Sequence, residues 1–180
     1  MSRAPIKKNI DLGEAAIVFM EVAKKFSAAF YADVKLKLEK IGVEFDKKLE
    51  RQFLEEIAII HFWIVSLALE SDKRLLDEIH KNWLAYRSLY ANCETDREVS
   101  DFIRTEEKKL KKRYEEYYAK LNSKNGLKLP QAMLVNMLGR TEDQILEEIE
   151  FDVWLLMDIS SRVFETINAI RNIRKEMKLN

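Results

Sequence analysis

Two histidines are the residues of this sequence best suited to acid–base or ligand chemistry, because an unperturbed imidazole titrates near neutral pH. His61 interrupts the apolar run of residues 57–69. His80 follows Asp77 by three positions, which places this pair on one face of a predicted helix. Each histidine could bind a ligand or accept a proton in a dry core. We favour the other interpretation, a neutral core histidine with one ring nitrogen hydrogen-bonded, because buried polar groups are normally paired.

Asp152 is the carboxylate that the hydrophobic pattern places inside the protein. It follows Ile149 by three positions and precedes Leu156 by four, which puts all three on the apolar seam of the last predicted helix. An unpaired carboxylate there would be costly or would become protonated. We therefore expect Asp152 to be buried and hydrogen-bonded in a structural role, so that Asp152→Ala costs about 1 to 3 kcal/mol. The side chains that could be its partner are those of His61, Ser66, His80, Arg87 and Arg162.

A ligand or metal site built from His61, His80, Asp77 and Asp152 is the alternative that the sequence leaves open, and such a site could support an enzyme. A di-iron carboxylate bundle requires a Glu-x-x-His pair from each of two helices. Here Asp77 stands where that pattern has Glu, and a second pair is absent from the sequence. We therefore expect neither a metal nor a cofactor, and we favour a non-enzymatic protein.

Composition argues against several large classes of protein. Thirty-one basic residues balance thirty-one acidic ones, so no overall field attracts nucleic acid or an anionic membrane. The single cysteine, Cys93, cannot form an internal disulfide, and one Cys with two His cannot complete a zinc-finger ligand set. The N-terminal residues lack a signal-peptide pattern, so we expect a cytoplasmic location. The apolar run of residues 57–69 is shorter than the roughly 20 residues of a membrane span, so we expect no membrane insertion.

Only four glycines and two prolines occur in 180 residues, a composition typical of helices rather than of turns and strands. We predict an all-α fold, a single domain over residues 1–180, with residues 1–10 as a frayed lead. Capping signals divide it into a bundle of about five long helices and one short one. The predicted helices cover residues 12–41, 46–69, 72–92, 95–122, 130–138 and 142–178.

The helix predicted over residues 46–69 contains the apolar run and should organise the fold. A helix that is apolar on every side has to be covered on every side. We therefore expect the other helices to surround this one.

For function, the sequence favours protein–protein contacts or self-association over catalysis. The helix predicted over residues 142–178 would be about 55 Å long, against about 36 Å for the central helix. Its apolar seam continues almost to residue 178, and either the first helix or a second copy of the chain would have to cover the excess. The residues that would form the homodimer interface are Val163, Ile167, Ile170, Ile173 and Met177.

Overall fold

The structure, a computed structural model, describes residues 8–89, 91, 93–144 and 153–179. Within these residues, helices dominate and the predicted all-α bundle is confirmed. Residues 142–144 are also helical. The bounded elements are β1 (Lys8–Ile10), α1 (Leu12–Lys40), α2 (Lys47–Ala68), α3 (Lys73–Ser88), α4 (Asp96–Leu121), α5 (Lys128–Leu138), α6 (Val153–Glu176) and β2 (Met177–Leu179).

Helices α1 to α4 begin where side-chain caps satisfy free N–H groups of their first turns. Asp11 accepts from the backbone N–H of Glu14 at 2.9 Å, and Asp46 caps α2 in the same way. Thr95 and Glu98 form a reciprocal capping box at the start of α4. Gly139 ends α5 with a φ of 64°, a left-handed conformation that costs glycine little. The helix boundaries are therefore set largely by local chemistry.

Helix α2 lies at the centre of the bundle, as the apolar run predicts. Helices α1, α4, α5 and α6 all pack against it. Ile60 and Trp63 are fully buried, and nearly the whole run from Ile57 to Leu67 is buried as well. Burying one large apolar side chain contributes about 1.5 to 3 kcal/mol relative to leaving it exposed. The packing of α2 is therefore a dominant favourable contribution to the fold.

The two ends of the described chain meet, which corrects the predicted frayed lead at residues 8–10, the part of it that the structure describes. Residues 8–10 form β1, which pairs in parallel with β2, with Ile10 opposite Leu179. Both side chains pack against the core. Pairing satisfies backbone groups and gives these residues a reason to be ordered. Residues 1–7 lie outside the described residues.

The end of the last predicted helix is also corrected, because α6 ends at Glu176 and β2 follows it. Residues 145–152, where the first part of this helix was predicted, lie outside the described residues. Helices α1, α2 and α5 pack against α6 and cover its apolar seam. Val163, Ile167 and Ile170 are buried, while Ile173 and Met177 are partly buried against the core.

The seam of α6 is therefore not an exposed stripe, and of the two covers predicted for it the structure shows the one within the chain; a homodimer through these five residues stays a prediction. The first helix covers the seam together with α2 and α5, so this face has no excess apolar surface to hide. Among the described helices, none is both long enough and apolar enough to cross a lipid bilayer.

Candidate functional site

The structure places the two histidines in different surroundings. His61, on α2, is 2% exposed, and its ring packs edge-on against Phe30 of α1 at 5.4 Å between ring centroids. His80, on α3, is half-buried and contacts Ser66 of α2 and Tyr114 of α4. Among the described residues the two histidines share no partner, so the structure does not bring His61 and His80 together in one site. Asp152 lies outside the described residues, and its burial stays a prediction.

His61 has the surroundings of a structural core histidine. Its Nδ1 atom is 2.9 Å from the carbonyl oxygen of Ile57, one helical turn earlier. Because a carbonyl only accepts, Nδ1 carries the proton and donates to it. Burial lowers the pKa of His61 from 6.5 to about 4, although the bond to Ile57 opposes that change. His61 is therefore neutral in the folded protein at neutral pH.

His80 belongs to a polar cluster with Ser66 and Tyr114. The Oγ of Ser66 lies 2.9 Å from the carbonyl oxygen of Phe62, so its single proton is donated there. The Nε2 of His80 lies 3.2 Å from Ser66 Oγ and 3.2 Å from Tyr114 Oη. Since Ser66 can only accept from His80, the Nε2 atom carries the ring proton. Nδ1 of a neutral His80 is then an acceptor, and no described residue donates a hydrogen bond to it.

The protonation state of His80 follows from its burial. Burial lowers the pKa of His80 below its ordinary value of 6.5, and the carboxylate of Asp77 opposes this change. His80 is therefore neutral at about pH 7. Burial likewise raises the pKa of Tyr114 above 10, so its hydroxyl keeps its proton.

The Ser66–His80 pair is not arranged as a nucleophile and its base. Ser66 is 6% exposed and its proton is donated to a backbone carbonyl instead of to His80. A serine nucleophile needs the histidine as proton acceptor and needs access to substrate. The contact with Ser66 therefore fixes the orientation of the His80 ring, and Nδ1 is the ring atom that can accept a hydrogen bond from a ligand.

A groove of about 690 Å³ runs between α3 and α4 and brings His80 and Asp77 to one place. Its volume lies within the range of roughly 300 to 1,000 Å³ that is typical of small-molecule sites. The accessible surface of its lining is mainly apolar, and the uncharged polar groups in it belong to His80 and the two tyrosines. The apolar and aromatic lining residues are Leu84, Ala85, Ile103, Leu110, Tyr114 and Tyr118.

Charged side chains also line this groove. Three are acidic, Asp77, Glu107 and Glu115, and none of them forms an ion pair with any described residue. Two are basic, Lys81 and Lys111, and Lys81 lies 3.8 Å from the carboxylate of Glu78 outside the groove. Because His80 is neutral, the lining carries more negative than positive charge at neutral pH.

A second polar cluster, which sequence analysis missed, lies beside the N-terminal half of α2. Glu56 is 4% exposed, and its carboxylate accepts from Tyr117 Oη at 2.6 Å and from Arg113 Nε at 3.2 Å. Phe53, Glu56 and Ile60 recur at helical spacing on the buried face of α2, a pattern that would have identified Glu56 as a core residue. The cluster joins α2 to α4 and neutralises a buried charge, which is a structural role.

Arg87 is the centre of a neighbouring ion-pair cluster. Its guanidinium donates to Glu106 at 2.7 Å and to Glu55 at 2.9 Å, and Lys109 also contacts Glu55 at 2.7 Å. These pairs join α2, α3 and α4. Every charge in the cluster has an opposite partner, so the cluster itself leaves no free group for a ligand.

Within the described part of the chain, no three side chains of His, Cys, Asp or Glu are placed to hold a metal ion. The groove between α3 and α4 is therefore the candidate functional site, with Asp77, His80 and Tyr114 as its polar residues. Of the four residues predicted for a site, Asp77 and His80 line this groove and His61 does not. Tyr114 could have been found from the sequence only as part of the thin aromatic stripe of α4.

Comparison with known proteins gives no further guide to function: no family model matches the chain, and no curated protein or solved structure matches it significantly. Function must therefore be argued from the geometry of the groove.

Proposed function

We propose that this protein is a non-enzymatic binding module for a small amphipathic ligand, and that the ligand occupies the groove between α3 and α4. The observation that carries the proposal is a largely apolar groove of about 690 Å³ with an oriented, neutral His80 in its lining. Such sites bind the apolar body of a ligand through burial and orient it through a few polar groups. No group in the groove is arranged for covalent chemistry.

The charge of the groove selects the head group of the ligand. The Nδ1 of His80 is a hydrogen-bond acceptor, and Asp77, Glu107 and Glu115 outnumber the two lysines of the lining. The rings of Tyr114 and Tyr118 can add cation–π attraction for a positive charge. The ligand is therefore an aromatic or aliphatic amine, which donates N–H groups to His80 and is attracted by the carboxylates.

Three probes with one apolar body and different head groups test this proposal. Calorimetric titration with phenylbutylamine, phenylbutanol and phenylbutyrate should give the tightest binding for the amine. We expect about a tenfold preference for the amine over the acid, which corresponds to about 1.4 kcal/mol. The preference should shrink at high salt, because Asp77, Glu107 and Glu115 are exposed and dissolved ions screen their charges.

Two variants, each with an exposed alanine replaced by tryptophan, test whether the amine binds in the groove or elsewhere on the surface. Ala85 lines the groove and is exposed, so Ala85→Trp should fill it without disturbing the core and should abolish amine binding. Ala119 is exposed on α4 and does not line the groove, so Ala119→Trp should bind the amine as the wild type does. Equal binding by the two variants, or no binding of any probe by the wild type, would contradict the proposal.

The pH dependence of amine binding tests the role of His80. Below its lowered pKa, His80 gains a proton on Nδ1, so the groove loses an acceptor and gains a positive charge. Amine binding should therefore weaken as the pH falls through the lowered pKa of His80, below its ordinary value of 6.5. In His80→Phe the alcohol should still bind, whereas the preference for the amine and most of its pH dependence should be lost. An unchanged amine preference in His80→Phe would show that the acceptor has no part in recognition.

A cytoplasmic location fits this proposal and stays a prediction from composition. The protein–protein contacts that the sequence favours stay a prediction as well.

A further inference from the structure

Ahead of its buried apolar run, the central helix α2 has one side that the described residues leave exposed. Along its N-terminal half, Lys47, Arg51, Leu54 and Ala58 lie on one face of the helix, at spacings of four, three and four residues. Lys47 and Arg51 are exposed, Leu54 is 47% exposed and Ala58 is half-buried. This face spans about 17 Å from Lys47 to Ala58. We call it the open face of α2.

Two adjoining grooves follow the open face. One, of about 820 Å³, lies between α2 and the helices α3 and α4, and the other, of about 430 Å³, lies among α1, α2 and α3. Leu54, Ala58, Tyr86 and Arg87 line both of them, so the two form one continuous surface. Neither groove shares a lining residue with the candidate ligand site between α3 and α4.

The shape and composition of this surface suit a helix. Small residues, Ala58 of α2 and Ala28 of α1, let another backbone approach closely, while Leu54 and the rings of Trp83 and Tyr86 offer apolar contact. An amphipathic helix in such a groove inserts side chains at i, i+3, i+4 and i+7. The length of the open face corresponds to about three helical turns.

The charges of this surface favour a partner that carries acidic side chains. The carboxylates around it are already paired: Glu50 with Lys35 at 2.7 Å, and Glu55 and Glu106 with Arg87. By contrast, the side chains of Lys47 and Arg51 form no ion pair with any described residue. Lys47 and Arg51 therefore leave a net positive charge along the groove that nothing in the described chain neutralises.

We propose that the open face of α2 is a docking surface for an acidic amphipathic helix of a partner protein. Apolar side chains of that helix contact Leu54, Ala58 and Tyr86, and its carboxylates pair with Lys47 and Arg51. Bound in this way, the partner completes the covering of α2 that the described residues leave open.

A pair of stapled helical peptides of about four turns tests the proposal. Both carry leucine at i, i+3, i+4 and i+7, and their flanking positions are glutamate in one peptide and lysine in the other. Fluorescence anisotropy should show that the glutamate peptide binds at least about tenfold more tightly than the lysine peptide. Chemical-shift changes should fall on the open face of α2 and on the facing residues of α1 and α3.

Three variants complete the test. Leu54→Asp removes an apolar contact and repels carboxylates, so it should weaken binding of the glutamate peptide at least about tenfold. Arg51→Glu should reverse the preference between the peptides. Arg171→Glu, a matched change at an exposed position on α6, should leave the preference unchanged. Because Arg51, Leu54 and Arg171 are all exposed, circular dichroism should show wild-type folding in each variant.

Several results would overturn the proposal. One is equal affinity of the protein for the two peptides. Another is an Arg171→Glu variant whose peptide preference changes as much as that of Arg51→Glu. A third is a wild-type protein that light scattering shows to be dimeric and that Leu54→Asp makes monomeric, which would assign the open face to a second copy. Ala85→Trp should still bind the glutamate peptide but should no longer bind phenylbutylamine. The ligand proposal and the docking proposal can therefore fail independently of each other.

Discussion

Replacing His61 with phenylalanine should remove a loss of stability that the wild-type protein suffers at mildly acidic pH. The substitution keeps an aromatic ring against Phe30 but removes the titrating group from the core. Below about pH 6.5 the unfolded chain protonates His61, whereas burial holds the pKa of the folded protein at about 4. The unfolded state then binds more protons, so stability rises with pH and falls on acidification.

The size of the effect follows from the two pKa values. Their difference, from 6.5 to about 4, corresponds to about 3.4 kcal/mol once the pH is below both. At about pH 5 the unfolded His61 is almost fully protonated and the folded one hardly at all, which gives about 2 kcal/mol. At about pH 7 the contribution is close to zero. The wild type should therefore lose about 2 kcal/mol more than His61→Phe over this range.

Urea unfolding at a series of pH values measures this difference directly. All the carboxylates titrate in both proteins, so the difference between the two stability curves isolates His61. Nuclear magnetic resonance titration of the ring in the folded wild type should find His61 neutral at about pH 5. Parallel stability curves, or a ring that titrates near its ordinary pKa, would refute the argument that His61 is held neutral by burial.

Two further substitutions test the packing of α2 against its neighbours. Glu56→Ala should destabilise the protein by about 1 to 3 kcal/mol in urea unfolding, because it leaves the buried hydroxyl of Tyr117 without its acceptor and Arg113 with Glu116 as its remaining ion pair, whereas Glu44→Ala at an exposed position should be nearly silent. A small cost for Glu56→Ala would show that its ion pair is dispensable. Gly139→Ala should cost about 1 to 2 kcal/mol in thermal unfolding, because a side chain there requires a left-handed backbone and its Cβ would meet the side chain of Gln52. Gly126→Ala, where a Cβ meets nothing nearby, is the control, and equal melting temperatures for the two variants would contradict this account.

The helices of this protein could be predicted because their signals are local in the chain. A cap such as Asp11 or Thr95 accepts a hydrogen bond from a backbone N–H three residues later. The apolar run of α2 predicts the burial of that helix from its own residues. The short pairing of β1 with β2 has no such signal, because the partners stand at opposite ends of the described chain. Its formation depends on the bundle bringing those ends together.

The candidate sites divide in the same way. The sequence by itself determined the all-α bundle, the central position of α2 and the placing of His80 and Asp77 on one helical face, since each depends on spacing within one helix. Only the tertiary structure decided that Tyr114 joins His80 beside a groove, that Arg113 pairs with Glu56, and that the seam of α6 is covered within the chain. These are contacts between distant segments, and their geometry depends on how whole helices pack, which no local spacing encodes.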